Sequence, residues 1–309
     1  MPDIASVSLA QNLDEIADEL GRSFTEFGFA VVRDHGIPQD LVDEAWHTAR
    51  AFFALPEAAK RAYFIPGGGG ARGYTPFGTE IAKDAQVHDL KEFWHIGRSL
   101  PPGHKYAADM PDNVWPTELP GFQQTYESLF AEFDKAGARI LRALALHLGL
   151  DPAFFDDATA DGNSVMRLLH YPPLPADAPE GAIRAAAHGD INAITLLLGA
   201  EEAGLELLDR QGQWRPVSPP DGALAVNIGD MLERLTNYRL PSTKHRVVNP
   251  RGDGARRSRF SMPFFHHFRP DFVIDPPAQF IDPDADTPPP EPIAANDFLD
   301  IRLREIGLK

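Results

Sequence analysis

Apolar residues recur every three or four positions from Leu13 to Phe27 (Leu13, Ile16, Leu20, Phe24, Phe27), the spacing of one helix face. Phe29-Ala30-Val31-Val32 follows as a short strand, closed by Asp34-His35-Gly36-Ile37-Pro38. Pro38, whose ring presets the dihedral of a first helical turn, opens a second helix expected to reach about Phe53. Pro66 to Gly73 is too glycine-rich to hold regular structure cheaply. A third helix is predicted from about Gly121 to Leu148, with Phe122, Tyr126, Leu129, Phe133, Ile140 and Leu144 on one side and Gly149 as its stop. Beyond about residue 160 the pattern changes to short β-rich runs at Val165–Tyr171, Ala193–Leu198, Leu205–Leu208, Ala223–Ile228, His245–Asn249 and Arg259–Phe268. Strands this closely spaced predict a sandwich or barrel, in an α+β, mainly β protein. Asp275 to Pro292 reads as an extended acidic surface segment, and Asn296 to Ile306 as a closing helix.

Composition sharpens this picture. Pro 29 and Gly 25 in 309 residues supply the turns that many short strands need. Lys+Arg 29 against Asp+Glu 45 leaves a formal net charge of −16, the wrong sign for coating phosphate backbones. Cys 0 removes disulfides, thiol nucleophiles, Cys-ligated zinc and iron–sulfur clusters together. The first thirteen residues carry Asp3 and no basic residue, unlike a secretory signal, and no apolar run approaches a membrane span. A soluble cytoplasmic protein is therefore expected.

With cysteine absent, metal ligands must come from histidine and carboxylates. His188-Gly189-Asp190 precedes the apolar run Ile191–Leu198. On an extended strand, positions i and i+2 share a face, so His188 and Asp190 can present one nitrogen and one oxygen to a single ion. His245, opening a later strand, is the natural third ligand. Two imidazoles and a carboxylate form the facial triad of non-haem Fe(II), with coordination positions left open, although Zn(II) and water activation fit the same set. Arg259-Phe260-Ser261 puts a guanidinium and a hydroxyl on one strand face, a receptor for the far carboxylate of a metal-chelating dicarboxylate such as 2-oxoglutarate.

These pieces together resemble the isopenicillin N synthase-like family of 2-oxoglutarate/Fe(II)-dependent dioxygenases. The resemblance is carried by Arg167-Leu168-Leu169-His170-Tyr171-Pro172-Pro173, His188-Gly189-Asp190, Gly204-Leu205-Glu206-Leu207, Asn227-Ile228-Gly229-Asp230, Thr236-Asn237, Ser242-Thr243-Lys244-His245-Arg246-Val247 and Arg259-Phe260-Ser261-Met262-Pro263-Phe264-Phe265. Gly28-Phe29-Ala30-Val31-Val32 and His35-Gly36-Ile37-Pro38 extend it toward the start. It implies a double-stranded β-helix (jelly roll) with flanking N-terminal helices and a C-terminal helix. Residues 1–120 would be the N-terminal mixed region and residues 121–309 the jelly roll with its supporting helix, in one compact unit. It implies Fe(II) on His188, Asp190 and His245, and 2-oxoglutarate on Arg259 and Ser261 with the Tyr171 hydroxyl. The reaction implied is decarboxylation of 2-oxoglutarate to succinate and CO2, with O2, coupled to oxidation of a small-molecule C–H bond. Leu169 departs from the pattern, standing where plant members often carry Asn. An oxidase that needs no 2-oxoglutarate, an ethylene- and succinate-forming enzyme, and a non-catalytic metal-binding jelly roll remain open alternatives.

For the substrate, the segment Arg72 to Arg98 is expected at the active-site mouth. Arg72, Tyr74, Phe93 and the later Phe264 are the candidate contacts, and Arg72, Lys91 and Arg98 point to an anionic group. Pairing of Lys91 and Arg98 with Asp89 and Glu92 is the competing expectation. His266 and His267 are strand neighbours on opposite faces, which argues against a shared second metal site.

Overall fold

The three amphipathic stretches fold as helices close to the expected bounds, in a computed structural model that describes residues 4–79, 88–174, 183–199, 204–250 and 252–305. Strand β1 (Ser6–Ser8) leads into helix α1 (Leu13–Phe27), then β2 (Phe29–Arg33), α2 (Gln39–Phe53) and α3 (Glu57–Arg61). Strands β3 (Gly73–Thr75) and β4 (Glu92–Gly97) precede the long helix α4 (Phe122–His147) and the short α5 (Asp156–Thr159). The β-rich half runs β5 (Val165–Tyr171), β6 (Ala185–His188), β7 (Ile194–Leu198), β8 (Leu205–Leu208), β9 (Trp214–Pro216) and β10 (Leu224–Ile228). Helix α6 (Asp230–Leu235), β11 (His245–Val247), β12 (Arg259–His266), β13 (Val273–Ile274), β14 (Ile293–Ala294) and α7 (Ala295–Glu305) complete the order.

Local chemistry sets these limits. The Asn12 side chain accepts from the Glu15 amide (3.0 Å) and caps α1. Gly28 ends the helix in the left-handed region at φ 65°, where a Cβ would also lie 2.3 Å from the Pro241 carbonyl oxygen. Only glycine satisfies both demands, and the chain turns directly into β2.

Eight strands form one sheet in the order β1-β2-β10-β7-β12-β5-β4-β3, and β6-β11-β8-β9 form a second. The N-terminal strands are thus built into the same large sheet as the jelly-roll strands. Strand alternation gives the large sheet two different faces. On one, Leu196, Leu198, Val226, Met262, Phe264, Met166 and Trp94 join the helices in the main core. Phe264 stacks on Phe133 of α4 with centroids 5.2 Å apart. On the other, Phe29, Ala225 and Leu197 meet Ala185, Leu205, Leu207 and Val247 of the smaller sheet. The space between the two sheets therefore carries the odd-numbered side chains of β5 and β12, including Tyr171, Arg259 and Ser261.

Candidate metal centre and its cosubstrate end

His245 of β11 lies directly across the ladder from His188 of β6, which places the two imidazoles side by side with ring centroids 4.5 Å apart. Asp190 follows two residues after His188, where the chain leaves β6. The ligand atoms of His188, Asp190 and His245 all lie within 4.8 Å of one another, and among the described residues this is the one such histidine–carboxylate group. Each histidine Nε2 stands 3.8 Å from Asp190 Oδ1. The three residues expected from the motifs are thus brought together.

Backbone carbonyls aim the two rings. His188 Nδ1 donates to Ala186 O (2.7 Å) and His245 Nδ1 to Thr243 O (3.2 Å). A carbonyl oxygen only accepts, so Nδ1 carries a proton in both rings, and each ring turns its Nε2 toward Asp190. Desolvation between the sheets, followed by the neighbouring His245, lowers His188 to about 4, so its imidazole is neutral at neutral pH. Burial alone would raise Asp190. His245, His188, and hydrogen bonds from Asn227 Nδ2 (2.8 Å) and Thr195 Oγ1 (2.6 Å) outweigh it, holding the carboxylate below its usual range. Both hydrogen bonds go to Oδ2, leaving Oδ1 turned toward the imidazoles. Two imidazole nitrogens and one ionised oxygen on one side of a point fit a divalent cation of the Fe(II) type.

The loop carrying Asp190 rests on the start of α6. The Asp230 amide donates to Asp190 O (2.8 Å) and the Met231 amide to Ile191 O (3.2 Å). A Cβ on Gly189 would meet Ser242 Oγ at 3.1 Å and Asp230 Oδ1 at 3.2 Å, so the small residue between the two ligands lets the loop settle there. From α7, Arg302 holds the Asp230 carboxylate at 2.8 Å.

Arg259, Ser261 and Tyr171 form the second cluster. Tyr171 is the ladder partner of Arg259, and Leu169 of Ser261. The Arg259 guanidinium lies 5.0 Å from the Tyr171 ring centre, and its Nη1 donates to Ser261 Oγ (3.3 Å). All three are buried. Leu169 packs with Phe93 and Tyr171 in a small apolar cluster, so this wall contributes shape where a polar side chain would contribute a hydrogen bond.

The expected substrate contacts divide. Phe93 faces the intersheet space. Phe264 does not: it points to the opposite face, under α4, because residue parity places it with Met262 and His266 rather than with Arg259 and Ser261. Tyr74 is likewise on the outer face, its hydroxyl donating to Glu92 and its ring edge-on to Phe52. Arg72 is buried, donating to Pro111 O (3.0 Å) and Ala71 O (2.7 Å), with its guanidinium against Gly97. Its first task is to hold the backbone. Lys91 is paired with Asp89 (2.8 Å), as the competing expectation had it, but Arg98 pairs with Asp134 (2.6 Å) rather than Glu92. Two inward residues escaped the sequence reading, Arg167 and Phe265. Their odd numbers, matching Tyr171 on β5 and Arg259 on β12, were the available signal.

The chain is similar to known proteins over most of its length. Residues 2–118 match the N-terminal family described as non-haem dioxygenase in morphine synthesis, and residues 162–268 match the 2OG-Fe(II) oxygenase superfamily. The chain is 36% identical over 255 residues to the 2-oxoglutarate-Fe(II) type oxidoreductase hxnY of Emericella nidulans, covering 80% of this chain and 72% of that protein. A crystal structure of a 2OG-Fe(II) oxygenase family protein from Caulobacter crescentus is 52% identical, with a TM-score of 0.90 over 99% of this chain and 100% of that one. A full-length Neurospora crassa protein, solved in complex with alpha-KG and thymine, is 26% identical with a TM-score of 0.86, covering 97% and 96% of the two chains.

Proposed function

This chain belongs to the 2OG-Fe(II) oxygenase superfamily, and from that premise we propose that His188, Asp190 and His245 hold its Fe(II) while Arg259, Ser261 and Tyr171 hold 2-oxoglutarate. The protein is an Fe(II)- and 2-oxoglutarate-dependent dioxygenase acting on a small molecule. The observation that carries the residue assignment is the convergence of three ligand atoms within 4.8 Å, with both imidazole Nε2 atoms turned toward Asp190.

When bound, Fe(II) and 2-oxoglutarate supply the oxidising power: O2 and the keto acid yield succinate and CO2 as a substrate C–H bond is oxidised. The chain's own residues bind and orient. The triad would hold the ion through three ligand atoms, and small molecules would reach it from the intersheet space. That side is open at His188, whose side chain is 38% exposed. Arg259 and Ser261 offer a carboxylate two kinds of donor, a guanidinium fork and a hydroxyl, and the Tyr171 hydroxyl adds a third. Leu169 and Phe93 exclude water beside them. We further read the substrate as anionic, on the Arg167 guanidinium held between Phe93 and Phe265.

Anaerobic Fe(II) titration tests the triad. Asp190→Ala is expected to weaken iron binding by more than about a hundredfold, since it removes the only charged ligand. Unchanged affinity would reject the assignment. Arg259→Gln is expected to raise the KM for 2-oxoglutarate at least about tenfold in a succinate-release assay. An unaltered KM would move the cosubstrate carboxylate elsewhere.

A further inference from the structure

The register of the large sheet continues the site past the cosubstrate cluster. On the inward face, His95 of β4 is opposite Arg167 of β5, and Phe265 of β12 is opposite Thr195 of β7. Thr195 is the residue that hydrogen-bonds Asp190. Phe265 is therefore one strand away from the metal centre, and Arg167 one strand further.

Arg167 is held in a defined pose. Its guanidinium carbon stands 4.3 Å from the Phe93 ring centre and 5.4 Å from that of Phe265. Its Nε donates to His95 Nε2 (2.5 Å), and His95 Nδ1 in turn donates to Gly70 O (2.5 Å). Because a carbonyl cannot donate, His95 is fixed as the Nδ1–H tautomer, with Nε2 accepting from Arg167. The result is a planar cation clamped by aromatic rings and locked in rotation by a histidine. Burial changes along the same two strands. Met166, Leu168 and Phe264 on the outer face are completely buried, whereas Val165, Arg167 and Phe265 on the inward face are only partly so. On this face the side chains of Val165, Arg167 and Phe265 are within reach of small molecules, unlike those beneath α4.

We infer that Arg167, oriented by His95, Phe93 and Phe265, is the receptor for a carboxylate of the primary substrate. The inference rests on the dioxygenase reading above and names the substrate class: a small organic acid. The cosubstrate does not account for this guanidinium. Arg167 and Tyr171, the ladder partner of Arg259, are four residues apart on one strand, roughly 13 Å at about 3.3 Å per residue. The far carboxylate of 2-oxoglutarate, once on Arg259, does not also meet Arg167. Whatever partner the Nη edge keeps without substrate, a substrate carboxylate competes for it through two parallel hydrogen bonds. Arg72 adds to the field: burial lowers it, against the pull of Asp112, only to about 10, so the guanidinium lying on Gly97 stays charged at neutral pH.

The test uses the full chain loaded with Fe(II) and 2-oxoglutarate and reads substrate-stimulated succinate formation. The probes are matched acids and amides (phenylacetate and phenylacetamide, benzoate and benzamide, hexanoate and hexanamide), with thymine as a neutral heterocycle. At least one acid is expected to stimulate turnover with a KM about tenfold or more below that of its amide, the worth of one charge-assisted hydrogen bond. In Arg167→Met that acid-to-amide ratio should fall to about one through the KM of the acid. Arg167→Lys, which keeps the charge, should restore part of the preference. Stimulation by amides or thymine equal to that by acids overturns the inference. So does a panel in which no acid stimulates, or an Arg167→Met enzyme that keeps the acid preference. Failure of the dioxygenase reading looks different: the wild-type protein would show no Fe(II)–2-oxoglutarate charge-transfer absorption, and both proposals would fall together.

Discussion

Asp190 does its work with one oxygen because the other is already engaged. Thr195 and Asn227 both donate to Oδ2, and both come from central strands whose backbone positions are fixed by ladders on each side. Asn227→Leu should therefore leave the fold intact but free the carboxylate to rotate and recover a raised proton affinity. Iron binding is expected to weaken about tenfold in anaerobic titration, with little change in thermal midpoint. An unchanged iron affinity would mean that Thr195 and the loop on α6 suffice to orient Asp190. At this scale the sequence was legible wherever chemistry recurs at spacing two. His188 with Asp190, and Arg259 with Ser261, declare a shared face by themselves. Substrate contacts were harder because aromatic residues attract attention irrespective of parity. Phe264 and Phe265 are equally apolar, yet only Phe265 has the parity of Arg259. Arg167 was passed over for Arg72, Lys91 and Arg98 although it stands four residues before Tyr171 on the same strand face.

Strand β4 shows why some elements hid. Lys91-Glu92-Phe93-Trp94-His95 puts charges among apolar residues and reads poorly as a strand with one solvated face, because both its faces are covered. Glu92 turns outward into a polar knot beneath α3. Its carboxylate accepts from Lys60 Nζ (2.6 Å), His170 Nδ1 (2.7 Å) and the Tyr74 hydroxyl. Burial pushes this carboxyl up, and hydrogen bonds from His170, Lys60 and Tyr74 bring it below the ordinary range instead. These partners come from α3, β5 and β3, so no local pattern could announce the pairing. The long amphipathic helices needed no such partners to be recognised, and α1 runs from Leu13 to Phe27 as its apolar spacing predicted. The Lys60–Glu92 pair is buried on both sides, 8% and 4% exposed at the side chains. Removing one member of such a pair strands the other. Lys60→Met is expected to cost about 3 kcal/mol in urea unfolding, far more than an exposed ion pair contributes. A loss below about 1 kcal/mol would show that His170 and Tyr74 suffice to carry the charge.

On the scale of the whole molecule, the large sheet has to serve two neighbours at once, a polar intersheet space and the apolar layer of helices. Its outer face approaches α4 so closely that a Cβ on Gly137 would fall 2.2 Å from His266 Nδ1. His266 pays for that closeness in protonation. Desolvation, then the charge of Arg98, lowers it from 6.5 to about 3. Asp134 of α4 stands 3.7 Å from its Nε2, and burial raises that carboxyl against the pull of Arg98. A histidine whose folded value lies below its unfolded value binds its proton more readily in the unfolded chain. Its full stabilising contribution is present above pH 6.5 and is lost as pH falls toward about 3. Asp134 titrates in the opposite sense, so the effect of His266 is read as a difference between native and variant chains. His266→Gln should flatten the acid limb of the stability curve by about 1.4 kcal/mol per pH unit, the slope of one proton. Urea unfolding at closely spaced pH values between about 4.5 and 7.5, across the ordinary histidine range, measures it. Equal acid slopes in the two chains would show that the ring gains its proton without α4 leaving the sheet, and the tight contact at Gly137 would then be no barrier to charge.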